Sequence, residues 1–195
     1  MVRTPSLAVR RLIVFRGDLH ATDWYRSGAT RPKVSDVAGV AFRWVRTSTD
    51  GEPGSQYAQV AERKGRLARG DACLLGYRRD SQHLVYHLWV AEGGAHIPWI
   101  FGHVSTRPGE LLVYDVWVDQ SHRGGALHSV GAALACEEAL RRTRRHIVAG
   151  IERRELVPYQ RFYRSAGIGN IAPVRSIVAV RLPGRVWRWE WTARQ

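Results

Sequence analysis

Residues 111–168 read LLVYDVWVDQSHRGGALHSVGAALACEEALRRTRRHIVAGIERRELVPYQRFYRSAGI. An apolar run, Leu111 to Val118, leads into a basic, glycine-containing turn at His122 to Gly125. A helical pattern follows, then a second apolar run from His146 to Ile151, then a short segment with two tyrosines that ends at Gly167. Strand, glycine turn and helix start in succession present backbone N–H groups to a ligand. The first turn of a helix leaves its donors unpaired and carries the positive end of the dipole. The order therefore points to a ligand that carries a pyrophosphate.

Working outward, Leu127, Val130, Leu134 and Leu140, with small Ala132, Ala133, Ala135 and Ala139 between them, predict a helix from about Gly125 to Arg142. Arginines at 141, 142, 144 and 145 fall at its C-terminal end, where cations meet exposed carbonyls. The continuous apolarity of Leu111–Val118 predicts a central strand covered on both faces. Its period of two puts Asp115, Trp117 and Asp119 on one face, opposite Tyr114, Val116 and Val118. Pro158 suits the first turn of a short helix in which Tyr159, Phe162, Tyr163 and Ala166 form one apolar stripe, ended by Gly167. Two strands close the chain, Ser176–Leu182 and, after Pro183-Gly184, VWRWEW. Trp187, Trp189 and Trp191 share one face of the last, expected to pack on the core, with Arg188 and Glu190 on the other.

Upstream, 7–16 reads as a strand and 17–34 as an irregular loop rich in Gly, Asp, Thr, Ser and Pro. Ser35 or Asp36 caps an expected helix to about Arg46, with Val37, Val40, Ala41, Trp44 and Val45 at helical spacing. Residues 47–55 are turn-forming, and Gln56–Arg69 reads as a polar helix closed by Gly70. Ala72–Tyr77 and His83–Ala91 read as strands joined by a hairpin turn at Arg78–Gln82. Residues 93–109 mix apolar and turn residues and yield no assignment. The expected class is α/β (α+β), a mixed central sheet flanked by helices in the order β-α-α-β-β-β-α-β-α-β-β.

At 195 residues, with 45% hydrophobic and 24% charged residues, the chain is expected to form a single soluble domain over 1–195 with a real core. No window of some 18 uncharged apolar residues predicts a membrane span. The apolar run near the N-terminus, Leu12 to Phe15, is too short for a secretory signal, so a cytoplasmic location is expected. Cys73 and Cys136 lie in apolar segments without CxxC spacing and read as small buried hydrophobes. The eight histidines show no metal-binding spacing, so no metal is expected. The net charge of +13 attracts anions: a nucleotide cofactor, an acidic substrate, nucleic acid or a lipid surface. Its carriers are nearly all arginine, with Lys33 and Lys64 the only lysines, a skew that GC-rich coding also explains.

The element order and two segments resemble the GNAT superfamily of acyl-CoA-dependent N-acyltransferases, best over 111–170. In that family a central strand runs into a turn of the form R-x-x-G-x-G/A and a long helix. Here the strand is Val113–Val118 and the turn is Arg123-Gly124-Gly125-Ala126-Leu127-His128, with His128 a bulky departure that either crowds a pyrophosphate or is turned aside. The family's short helix, N-x-x-A-x-x-x-Y-x-x-x-G-F, falls on Leu156, Tyr159, Tyr163, Gly167 and Ile168, of which Tyr163 and Gly167 match.

The resemblance implies acetyl-CoA or another acyl-CoA as co-substrate and a primary amine as acceptor. The backbone of Val116, Trp117 and Val118 would pair with the pantetheine arm. Donors of Arg123, Gly124, Gly125, Ala126, Leu127 and His128 would hold the pyrophosphate, and the Tyr163 hydroxyl would face the sulfur. The alternatives are a tight surface turn for the first group and a core tyrosine for Tyr163. For the base, Asp115, Asp119 and Glu152 are candidates beside a water chain, while His122 reads as an anion partner. Trp89, Trp99 and Trp117 are candidates for substrate stacking. Residues 17–55 would form the variable acceptor side and 111–170 the acyl-CoA core, in a monomer or a homodimer. A reading of a different class is a basic nucleic-acid-binding protein, a silent relative of the acyltransferases or one that acylates an RNA-linked amine, with YQRFYR and VWRWEW supplying phosphate contacts and stacking.

Overall fold

The computed structural model of this protein describes residues 8–19, 37–47, 50, 60–124, 126–152, 171–182 and 185–192. Strand β1 is Ala8–Asp18 and β2 is Val40–Val45. Helix α1 is Val60–Ala68, followed by β3 (Ala72–Arg78), β4 (Leu84–Ala91), β5 (Gly94–Ile97) and β6 (Gly102–Ser105). Then come β7 (Glu110–Val118), α2 (Leu127–Arg141), β8 (His146–Glu152), β9 (Ile171–Leu182) and β10 (Arg185–Thr192). Eight strands form one sheet in the order β10-β9-β1-β8-β7-β4-β3-β2, and β5 and β6 pair separately. All pairings in the large sheet are antiparallel except β7 with β8, which are parallel. That one exception follows from α2, since parallel neighbours need a crossover element.

Alternation along the strands sends side chains into two cores. On one face Leu111 and Val113 of β7, Tyr86, Leu88 and Val90 of β4 and Ile147 and Ala149 of β8 pack with Leu127, Ala132, Ala135, Cys136 and Ala139 of α2. On the other, Leu112, Tyr114, Trp89, Ala91, Val148 and Leu12 pack with Leu67 of α1 and with Ala95, Ile97, Ile100 and Val104 of the β5–β6 hairpin. The first half of β7 is thus buried on both faces, as its apolarity predicts. Gly131 lets α2 approach β4, because a Cβ there would lie 2.1 Å from the Tyr86 hydroxyl oxygen. Both cysteines are buried and unbridged.

Two expectations need correction, and one segment without an assignment gains one. The helix expected from Ser35 or Asp36 to Arg46 is a strand over Val40–Val45: VAFRWV is β-branched and aromatic, and six successive pairs with β3 satisfy its backbone. Residues 93–109 hold the β5–β6 hairpin, joined by a 3₁₀ turn at Pro98–Ile100. Trp187, Trp189 and Trp191 do not pack on the core; they are 40%, 48% and 53% exposed. Elsewhere the reading agrees: β1, β3, β4, the Arg78–Gln82 turn, α2, β8 and the closing pair of strands all form. The polar helix is described over Val60–Ala68 and ends at Gly70, whose φ is 87°. The helix expected after Pro158 lies outside the described residues. Among the described residues, no helix is long and apolar enough to cross a membrane.

Candidate acyl-transfer site

The pairing of β7 with β8 stops early. It runs through Glu110 with His146, Leu111 with Ile147, Leu112 with Val148 and Val113 with Ala149, and goes no further. Beyond it β8 continues to Glu152 paired only with β1, where Glu152 lies opposite Leu12, while β7 continues to Val118 paired only with β4. The two strands therefore part after Val113 and Ala149. Among the described residues, no strand takes up the inner edge of Tyr114–Val118.

At the parting β7 carries a bulge. His87 is opposite Trp117 and Trp89 is opposite Tyr114, so two residues, Asp115 and Val116, face Leu88 alone. Asp115 sits at φ 49°, a left-handed conformation that aspartate tolerates better than most residues. The extra residue inverts the alternation. Val116 and Val118 join the α2-side core that Leu111 and Val113 entered earlier, leaving Tyr114 on the same side as Asp115 and Trp117. The expected opposition of Tyr114 to Asp115 and Trp117 is thus wrong, because a bulge breaks the period of two.

That side is polar and tightly paired. Arg66 of α1 stacks over the Trp89 and Tyr114 rings, 5.0 and 5.2 Å from their centroids, and its Nη1 donates to Asp115 at 2.5 Å. His87 Nε2 lies 3.8 Å from the other Asp115 oxygen and its ring stacks on Trp117 at 5.7 Å. The Tyr114 hydroxyl donates to buried Asp71 at 2.9 Å. Burial pushes the Asp115 carboxyl up, but hydrogen bonds from His87 and Arg66 outweigh it and hold the group down at about 2. A carboxylate that acidic is a weak proton acceptor near neutrality. Burial pushes both Asp71 and the Tyr114 phenol up, the latter also through the charge of Asp71. Arg66, His87 and Asp71 come from α1, β4 and the start of β3, and no spacing in the sequence links them to β7.

The turn after β7 is also organised by a carboxylate. Asp119 accepts from the backbone N–H and the hydroxyl of Ser121, which lowers its pKa, and Ser121 also contacts His122 Nδ1 at 2.8 Å. Asp119 is therefore engaged in the turn, with His122 beside it. Arg123 folds back so that Nε donates to the Val118 carbonyl at 3.3 Å. Gly124 takes φ 81° with open space where a Cβ would stand. Ala126, at the N-cap of α2, makes no side-chain capping hydrogen bond. Leu127 is buried in the core. His128 is turned inward, its ring 6.2 Å from that of Tyr86, and burial lowers its pKa to about 4. The neutral ring is thus turned aside from the turn that precedes α2. Trp89 is wholly buried, whereas Trp99 and Trp117 are about one-third exposed. Gly125 and Tyr163, like Leu156, Tyr159, Gly167 and Ile168, lie outside the described residues. Among the described residues, no group of three His, Cys, Asp or Glu side chains is placed to hold a metal.

No family profile and no curated protein sequence matches the chain. Solved structures do. A tandem GNAT protein from the clavulanic acid biosynthesis pathway superposes with a TM-score of 0.58 at 16% identity, over 93% of this chain and 55% of that one. The chain has the GNAT fold. A GCN5-related N-acetyltransferase from Kribbella flavida gives a TM-score of 0.51 at 14% identity, over 92% of this chain and 61% of that one. Another from Sphaerobacter thermophilus gives 0.50 at 16% identity, over 92% and 52%. The chain spans about half the length of several solved structures that it matches.

Proposed function

We propose that this protein transfers an acetyl or other short acyl group from acyl-CoA to a primary amine of a small molecule or protein, with residues 1–195 acting as one unit. One observation carries the reading: two parallel strands part after four pairs, beside a glycine turn that leads into a 15-residue helix. The inner edge of β7 offers the backbone of Val116, Trp117 and Val118 to an extended arm. The turn through Arg123, Gly124, Gly125 and Ala126, leading into Leu127 and His128, offers donors to a pyrophosphate, and the open space at Gly124 suits a close approach.

Acyl-CoA supplies an activated thioester, so the protein's own task is mainly to place the acceptor nitrogen and move two protons. Tyr163, by its match to the family's short helix, donates a proton to the departing sulfur. Glu152, three residues past the last β7–β8 pair, or water in contact with it, takes the proton from the ammonium group. Asp115 orients the acceptor side through Arg66 and His87. The nucleic-acid reading gains no comparable support, because the arginines that end α2 are consumed by Glu138, Glu92 and Asp18.

Calorimetric titration with acetyl-CoA tests the proposal. Wild-type protein should bind, Gly124→Asp should abolish binding, and Tyr163→Phe should bind normally yet lose activity by roughly 100-fold or more. Wild-type protein without affinity for any acyl-CoA would overturn the reading.

A further inference from the structure

Strand β10 ends the large sheet. Among the described residues its eight residues pair with β9 alone, from Arg185 opposite Leu182 to Thr192 opposite Arg175, without a shift of register. RVWRWEWT has no proline, no lysine and no bulge, and its charges, Arg185, Arg188 and Glu190, are of both signs. One face of this edge carries Trp187, Trp189 and Trp191, all exposed, and the apolar surface continues through Val180 to exposed Val9 on β1. The opposite face carries Arg188 and Glu190, paired with each other at 3.3 Å, with Glu190 also held by Arg175 at 3.1 Å; Arg188 and Glu190 both stay partly in solvent, so they can also meet charges across an edge. Contiguous aromatic surface on a regular free edge marks an interaction site.

We infer that β10 is the surface through which two copies of this chain associate, pairing antiparallel about Trp189. The charge pattern selects this occupant. With Trp189 opposite its own copy, Trp187 faces Trp191, and each Arg188 faces a Glu190 of the second copy. Six tryptophans then line one face of a continuous sixteen-stranded sheet, with two Arg–Glu pairs on the other. Centring on Arg188 or on Glu190 sets like charges opposite one another, and a slip of one residue mixes tryptophan and charge on both faces. The strand is complementary to itself in this one alignment. A tandem protein of the same fold carries about twice this length in one polypeptide, and association would supply a second unit from a second chain. The inference stands whether or not the chain transfers acyl groups.

Sedimentation equilibrium of the full chain tests it. Wild-type protein should weigh twice 22.1 kDa at roughly 100 μM. Arg188→Glu alone sets acids opposite acids, and Glu190→Arg alone sets bases opposite bases, so each should weaken association by roughly tenfold or more. Mixing the two variants sets opposite charges across every pair and should restore the dimer, a recovery that misfolding of either would not give. Trp189→Lys should leave a monomer with unchanged far-UV circular dichroism. A monomeric wild type, a dimer indifferent to all three substitutions, or a mixture that stays monomeric would each overturn the inference.

Discussion

Glu138 is 2% exposed, yet its carboxylate accepts hydrogen bonds from three guanidinium groups: Arg46 at 2.9 Å, Arg141 at 2.7 and 2.8 Å, and Arg142 at 2.8 Å. Burial pushes its pKa up, and the bonds from Arg141, Arg46 and Arg142 outweigh that and hold it well below the ordinary range. The residue ties the end of β2 to α2. Glu138→Gln removes the charge that offsets three cations. It should destabilise the protein by roughly 2–3 kcal/mol in urea unfolding, less than for a wholly buried pair because Arg46 and Arg141 stay half in water. A loss below about 0.5 kcal/mol would show that the cluster is held only by solvent-exposed contacts. The spacing from Glu138 to Arg141 and Arg142 is readable as helical neighbours. Arg46, 92 positions away, is not, and its arrival is what makes the group a core feature.

At the scale of elements, β7, α2 and β8 were legible because each is a long run with one period, bounded by glycine or charge. β2 was not. Its apolar positions satisfy a helical and an extended spacing alike, and only the ladder with β3 decides between them. The bulge at Asp115 was equally hidden, since an extra residue leaves no mark in composition, yet it determines which side chains stand beside Arg66 and His87. In the candidate site, the turn between β7 and α2 was legible from Arg123 and Gly124. Arg66, His87 and Asp71 were not, because tertiary packing alone assembles them. The interior of α2 offers a test of sign. Gly→Ala within a helix ordinarily stabilises by about 1 kcal/mol. At Gly131 the new methyl would meet the Tyr86 ring, which is itself wholly buried, so Gly131→Ala should instead destabilise by roughly 1–2 kcal/mol in thermal or urea unfolding. A stabilised variant would mean that Tyr86 yields freely.

For the whole molecule, the pH dependence of stability follows from what is buried. His128 is held neutral with its pKa lowered to about 4, and His146 is lowered by burial and by Arg16. The unfolded chain protonates these rings near pH 6.5 while the folded one resists, so stability falls as pH drops from about 6.5 toward 4. Glu138 and Asp115, both lowered in the fold, add a second loss as pH falls below the usual carboxylate values, whereas Asp71, raised by burial, acts in the opposite sense only above its usual value, where it offsets part of the histidine loss. Urea midpoints should therefore decline between about pH 7 and pH 5, and His128→Gln should decline less. An equal decline in both would remove His128 from the account.

The seam between β7 and β8 has a mechanical meaning. Four pairs join one antiparallel half, β10-β9-β1-β8, to the other, β7-β4-β3-β2, with α2 bridging above. Past the last pair, among the described residues, each half presents an unpaired rim to the other, like the two sides of an unfastened zip. A molecule lodged between those rims would be held by the sheet and would also hold it together, so filling the gap and stiffening the whole are one event.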